Sequence, residues 1–140
     1  MAIDCFVMPL WRYFAADFTT AVERLTGAAG DLHAERVLLL ARERIDTGLP
    51  EYVLMNRSLR TATALDTLGT QAGKRSDIVV VRRDKKVDLI EVRSPSQPDP
   101  GDLITKLQEM RAALPVINRG RICLYEIDGT LIPIPEEACE

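Results

Sequence analysis

Histidines, paired cysteines and glycine-rich nucleotide-binding motifs are scarce or missing in this chain of 140 residues. The single histidine, His33, disfavours a catalytic triad and histidine-based ribonuclease chemistry. The three cysteines, Cys5, Cys123 and Cys139, are widely spaced and form neither a CxxC pair nor a zinc-ligand pattern. We therefore expect reduced cysteines, with Cys123 in the core. There is also no P-loop, no dinucleotide-binding glycine pattern and no Ser or Cys nucleophile motif.

Long hydrophobic runs are also missing, and the longest, Val37–Ala41, has five residues, far short of a membrane span. Met1–Leu10 carries an acid and no cationic segment of a signal peptide. These features predict a soluble, cytoplasmic protein. The net charge of −3 argues against a broad basic surface for nucleic acid, although not against a local one.

The composition is that of a globular protein, with 46% hydrophobic and 28% charged residues, and the length suits a single domain over residues 1–140. Residues 9–26 form the first predicted helix, because Trp11, Phe14 and Phe18 recur at helical spacing and Pro9 suits a first turn. This helix either covers the core or contacts a partner or a membrane.

The rest of the chain alternates between helical and strand patterns. A helix over 31–46 has Asp31 as its N-cap, and a later helix runs over 102–114. Residues 51–72 predict one strand and an irregular connection, in which 59–65 alternates weakly. A helix between strands indicates an α/β fold with a mixed sheet flanked by helices. The predicted strands cover residues 52–55, 78–81, 87–92, 121–127 and 131–134.

Two β-branched runs, Ile78–Val81 and Val87–Val92, flank a charged turn and predict a β-hairpin. With a three-residue loop at Arg83–Lys85, Asp77 falls opposite Glu91 on the other strand.

Side chains alternate along a strand, so Glu91 and Arg93 are expected on one face, together with Asp77. Two carboxylates and a cation would then converge on a small area of the sheet. Packing alone does not require this arrangement, because charged groups are rare in strand interiors.

These elements and residues resemble the PD-(D/E)xK nuclease superfamily, whose restriction-endonuclease-like core is a helix, a three-stranded meander, a helix and a strand. Asp77 takes the position of the family's Asp, and residues 91–93, Glu-Val-Arg, take that of its Glu-x-Lys, with Arg in place of Lys. Glu35 matches an acid that many members carry on the first core helix. The resemblance covers roughly residues 31–127 within a core of 31–134, after an N-terminal helical extension of 1–30. Residues 91–97 also look like nuclease domains of bacterial polymorphic toxins.

The resemblance implies a toxin- or effector-type endonuclease that hydrolyses phosphodiester bonds, in DNA rather than RNA. Asp77, Glu91 and the Val92 carbonyl would hold Mg²⁺ or Mn²⁺, since hard cations prefer carboxylate and carbonyl oxygens. Glu35 would complete this site, and Gln97 would contact water or phosphate.

Arg93 would hold a phosphate through two hydrogen bonds, but it cannot act as a base because a guanidinium does not lose its proton in proteins. The cations near the hairpin are expected to contact the phosphate backbone without reading sequence. They are Arg75, Arg82, Arg83, Lys85 and Lys86.

Two other interpretations stay open. Arg93 in place of Lys and the acidic net charge also suit a nuclease-like fold without catalysis, which would bind nucleic acid or a protein. Alternatively, the chain is itself an immunity or adaptor protein whose contact surface is the helix around Trp11–Phe18. In a toxin, the same helix would bind a cognate immunity protein or a second copy of the chain. A chain that belongs to a secreted toxin would act in the cytoplasm of its target cell, and no membrane partner is expected.

Overall fold

A six-stranded sheet forms the centre of the computed structural model, which describes residues 7–9, 32–94 and 99–134. The strands lie side by side in chain order, and every neighbouring pair is antiparallel except β4 and β5, which are parallel. The strands are β1 (Val7–Pro9), β2 (Pro50–Ser58), β3 (Arg75–Arg82), β4 (Val87–Val92), β5 (Arg119–Tyr125) and β6 (Leu131–Ile132).

Helices cover both faces of the sheet, which confirms the predicted α/β class. Helix α1 (Leu32–Asp46) packs on one face, where its apolar side chains meet Val53, Ile78 and Ile90. On the other face, Val79, Leu89 and Ile122 pack in one cluster with residues of two helices. These are α2 (Leu59–Thr63) and α3 (Pro100–Ala113), and short 3₁₀ turns cover Gly69–Gln71 and Val116–Asn118.

The β3–β4 hairpin has the predicted register. Ile78 pairs with Ile90, and Val81 pairs with Val87. The backbone N–H of Arg82 donates to the carbonyl of Lys86 at 2.9 Å, which closes the expected three-residue loop. Lys85 adopts a left-handed conformation with φ of 72°, as the last residue of such loops commonly does. The two charged positions, 77 and 91, therefore face each other across the hairpin.

Helix α3 connects the parallel strands β4 and β5, because parallel neighbours require a crossover. It begins at Pro100, two residues before the predicted start at Asp102. The Asp99 side chain accepts a hydrogen bond from the N–H of Gly101 at 2.8 Å, and Pro100 suits the first helical position. The N-cap is therefore Asp99, the aspartate that precedes the predicted first residue of this helix.

Two segments differ from the sequence-based expectation. Leu59–Thr63 is helical, because the Ser58 hydroxyl accepts the N–H of Thr61 and caps a single turn. Val7–Pro9 is a strand, so Pro9 does not begin a helix. The remainder of the predicted first helix, including Trp11–Phe18, and the proposed N-cap Asp31 lie outside the described residues.

Cys123 lies in the core, as predicted. It is disulfide-bonded, however, so the expectation of reduced cysteines is wrong for this residue. Spacing along the chain does not report which sulfur atoms the fold brings within bonding distance. Within the ranges that the structure describes, no helix is long and apolar enough to cross a bilayer.

Gly120 provides a test of the β4–β5 packing. A Cβ atom at this position would overlap the Asp88 carboxylate and the Val87 carbonyl, whereas a Cβ at Gly73 would meet nothing. We expect Gly120→Ala to lower the free energy of unfolding by about 2 kcal/mol or more, because overpacking is destabilising. Gly73→Ala should change it by less than about 0.5 kcal/mol. Urea denaturation of both variants measures the difference, and equal stabilities would contradict the close approach.

Candidate functional site

Two carboxylates, those of Asp77 and Glu91, meet between β3 and β4 as predicted. The Oε1 atom of Glu91 accepts a hydrogen bond from the Asp77 N–H at 3.2 Å. In return, Oδ2 of Asp77 accepts one from the Val92 N–H at 2.8 Å. Each carboxylate thus binds the backbone of the other strand, and this exchange holds both side chains at the same end of the sheet. The Glu91 side chain is only 5% exposed and the Asp77 side chain 20%.

The cation beside this pair is Lys106, which the sequence analysis did not select. Its Nζ atom donates to Glu91 Oε1 at 2.8 Å from helix α3. Lys106 lies three residues after the buried Leu103 and next to the buried Leu107, so it is at the edge of the buried helical stripe. Its position at this edge was the only feature of the sequence that could have marked Lys106 as a candidate site residue. Nothing in the spacing shows how α3 packs against β4.

Arg93, the predicted cation, is placed elsewhere. Strand β4 ends at Val92, so the alternation of faces does not extend to residue 93. The Arg93 guanidinium donates to both oxygens of Glu126, at 3.2 and 3.3 Å, and this pair connects the ends of β4 and β5. Its buried Nε atom has no hydrogen-bond partner among the described residues. The two acids and a cation therefore converge, but the cation comes from a helix.

His33 takes the place on α1 that the sequence analysis assigned to Glu35. Its Nε2 atom is 2.9 Å from the Val92 carbonyl oxygen and 3.3 Å from Asp77 Oδ2. Both neighbours are acceptors, so Nε2 must carry a proton to bind either of them. Glu35 is exposed. It lies two residues from His33, or about 200° around the helix, and so points away from Asp77.

A cleft of about 440 Å³ opens over the carboxylate pair. Besides Asp77 and Glu91, its walls include His33, Asn56, Arg75, Ser94 and Lys106. In the described part of the chain, no group of three or more His, Cys, Asp or Glu side chains has the arrangement of a metal site. Gln97, the remaining predicted catalytic residue, lies outside the described ranges.

Burial, together with the negative charge of Asp77, raises the pKa of Glu91 to about 7. The Lys106 ammonium acts in the opposite direction, through its charge and its hydrogen bond. A carboxyl group with such a pKa changes protonation near neutral pH. Shifts of this size mark candidate functional sites, although structural ion pairs also produce them.

The basic hairpin tip is remote from this cleft. Arg82 donates to Asp88 through Nε at 2.8 Å and Nη2 at 2.6 Å, and Lys85 pairs with Glu51 at 3.2 Å. Arg82 lies five residues along β3 from Asp77, which corresponds to roughly 17 Å. Of the five cations predicted to bind nucleic acid, only Arg75 lines the cleft, whereas Arg83 and Lys86 belong to the tip.

The pKa of Glu91 predicts a pH dependence of stability. Because this pKa is higher in the folded protein than the ordinary value of 4.5, the folded state binds the proton more tightly. The free energy of unfolding should therefore fall as the pH rises from about 5 to about 8. The fall should be on the order of 3 kcal/mol at most, at about 1.4 kcal/mol per unit of pKa shift.

Urea denaturation across this pH range measures the effect. Glu91→Gln should remove most of the fall, whereas Glu126→Gln, which removes an acid outside the cleft, should leave it in place. Identical pH profiles for the Glu91→Gln and unmodified proteins would contradict the assignment.

Comparison with known proteins adds no relative to this picture: no protein-family model, no curated protein and no solved structure matches the chain.

Proposed function

We propose that this protein is a metal-dependent nuclease that hydrolyses phosphodiester bonds at the cleft, with DNA as the preferred substrate. The observation that carries this proposal is the convergence of Asp77, Glu91 and Lys106: two carboxylates from adjacent strands with an ammonium group 2.8 Å from one of them. Active sites often combine burial and like-charged pairs of acids, and donors placed beside them can stabilise a charge that develops during reaction.

The order of elements also supports the proposal. Helix α1 precedes the antiparallel strands β2, β3 and β4, and α3 then leads to the parallel strand β5. This is the order that the resemblance to restriction-endonuclease-like nucleases implies. The two acids lie on the second and third of these strands, where the resemblance expects them. The toxin- or effector-type role is supported only by the resemblance of residues 91–97 to nuclease domains of bacterial polymorphic toxins.

The donor atoms fit Mg²⁺ or Mn²⁺. Mg²⁺ is bound in enzymes through one or two carboxylates, with waters and substrate phosphates as the other ligands, so a cage of three acids is not required. Asp77, Glu91 and the Val92 carbonyl would hold the ion. Burial and Asp77 raise the pKa of Glu91 although Lys106 acts against them, so additional positive charge would favour the ionised pair. A bound divalent ion would supply that charge, polarise the phosphate and lower the pKa of water.

The chain's own groups have separate tasks. The Val92 N–H and His33 orient Asp77 from two sides. Glu91 and Lys106 present an acceptor and a donor 2.8 Å apart, which suits the orientation of a water molecule for attack on phosphorus. The Lys106 ammonium can also donate to a phosphate oxygen and so stabilise the charge that develops in the transition state.

Lys106 thereby fills the role of the lysine in the Glu-x-Lys motif of the nucleases that the chain resembles, where this chain has Arg93. Because this role depends on the positive charge and the hydrogen bonds of the ammonium group, Arg at position 93 does not remove it from the site. Hydrolysis adds water across the P–O bond. The water oxygen bonds to phosphorus, and the departing oxygen receives a proton.

Cleavage assays on variants test these assignments. Asp77→Ala and Glu91→Ala should abolish cleavage, and Lys106→Ala should lower it by about 100-fold or more, as expected for the loss of a charge-stabilising donor. Arg93→Lys should retain activity, because Arg93 binds Glu126 rather than the carboxylate pair. The assay incubates plasmid DNA or tRNA with protein in Mg²⁺, Mn²⁺ or EDTA. Undiminished cleavage by Glu91→Ala would refute the proposal.

Thermal melting tests the metal site without reference to activity. A ligand that binds the folded state raises Tm, so Mg²⁺ or Mn²⁺ should raise the Tm of the unmodified protein at pH 7. Asp77→Asn should eliminate this increase. Glu35→Gln should retain it, because Glu35 is exposed on another side of α1. An increase that survives Asp77→Asn but not Glu35→Gln would move the metal site away from the cleft.

A further inference from the structure

Four cations cluster at the cleft end of β2 and β3. They are Arg57, Arg60, Lys74 and Arg75, and we refer to them as the basic rim. The whole chain has a net charge of −3, yet residues 56–76 contain these four cations and a single acid, Asp66. The charge of this segment is therefore opposite to that of the molecule.

The backbone brings the basic rim together at the end of the sheet that carries the carboxylate pair. Arg57 pairs across the sheet with Ser76, which lies in the wall of the cleft beside Asp77. The N–H of Leu59 donates to the Lys74 carbonyl at 2.8 Å, so the start of α2 lies against the start of β3. Arg60 follows directly and is exposed, as is Lys74.

Three of the four cations in the basic rim are not neutralised by a neighbouring acid in the part of the chain that the structure describes. Among the described residues, the side chains of Arg57, Arg60 and Lys74 form no ion pair. At the hairpin tip, by contrast, three acids accompany four cations: Asp88 binds Arg82, Glu51 binds Lys85, and Asp84 is in the loop itself. The tip cations thus lie among acids that pair with them, whereas Arg57, Arg60 and Lys74 have no such partner among the described residues.

Arg75 connects the basic rim to the cleft. Its Nη1 atom donates to the Asn56 carbonyl at 2.8 Å, and both residues line the cleft. Asn56 has a left-handed backbone with φ of 54° inside strand β2, an uncommon conformation in a strand interior. Conformations of this kind concentrate at functional sites.

We propose that the basic rim binds the phosphodiester backbone of a polynucleotide and positions it at the cleft. This inference rests on the proposed function and specifies its substrate-binding surface. Fixed cations next to a cleft attract phosphates and release counterions from the nucleic acid, without reading its sequence. The sequence-based expectation had placed this contact mainly at the hairpin tip, at the other end of β3.

Binding in EDTA separates the two surfaces and is independent of cleavage. Fluorescence anisotropy is recorded with labelled duplex DNA, single-stranded DNA and RNA of equal length, at several salt concentrations. The variant pair is Arg60→Glu/Lys74→Glu in the basic rim and Arg83→Glu/Lys86→Glu at the tip, which carry the same change in charge.

Each phosphate contact contributes about −0.9 to the slope of log K against log salt concentration. The rim variant should therefore bind nucleic acid about tenfold more weakly at 0.1 M salt for each contact that it loses. Its salt slope should fall by about 2. The tip variant should bind within about twofold of the unmodified protein. Arg60→Gln/Lys74→Gln, measured with a thermal melt, should give a smaller loss in the same direction without a change in folding.

Equal binding by the rim variant and the unmodified protein would overturn the inference, as would a larger loss at the tip or no binding of any of the three nucleic acids. Binding that depends on the basic rim, together with no cleavage in metal, would support the inference and refute the proposed function. Metal-dependent cleavage together with binding that does not depend on the basic rim would support the proposed function and refute the inference. The comparison of the three nucleic acids identifies the preferred polymer.

Discussion

The reciprocal bonds between Asp77, Glu91 and the facing backbone are the constraint on which the candidate site depends. Each carboxylate accepts an N–H from the opposite strand, so neither side chain can move without breaking a contact to the β3–β4 pair. A shift of one residue in this register would place the two acids on opposite faces of the sheet. The register is in turn held by the aliphatic residues on both faces, such as Ile78 and Leu89, which are fully buried.

This arrangement is electrostatically unfavourable by itself. Burial removes water from Glu91 and places it next to a second acid, and the bond to Lys106 compensates only in part, which is why its pKa reaches about 7. A packed core would be simpler with an aliphatic residue at position 91. The retention of an acid at this position, under an open cleft and beside a cation, agrees with a site that receives additional positive charge.

The two ends of the sheet differ in how their charges are used. At the hairpin tip, arginine and lysine side chains are taken up by nearby acids, and the bidentate Arg82–Asp88 pair mainly serves packing around the β4–β5 contact. At the cleft end, Arg57, Arg60 and Lys74 of the basic rim form no ion pair among the described residues. Composition shows how many cations a segment contains, but ion pairing decides which of them remain available to a ligand.

The sequence by itself determined the hairpin and several local elements, although not the helix α2 or the strand β1. Strand β4 has the predicted bounds and α1 the predicted extent, because their periodicity and flanking residues are local signals. It also placed Asp77 opposite Glu91, since alternation and loop length suffice for that. Only the tertiary structure decided that Lys106 and His33, rather than Arg93 and Glu35, complete the site. Those choices depend on how α3 and α1 pack across the ends of β3 and β4, and packing between distant segments leaves no periodic trace in the chain.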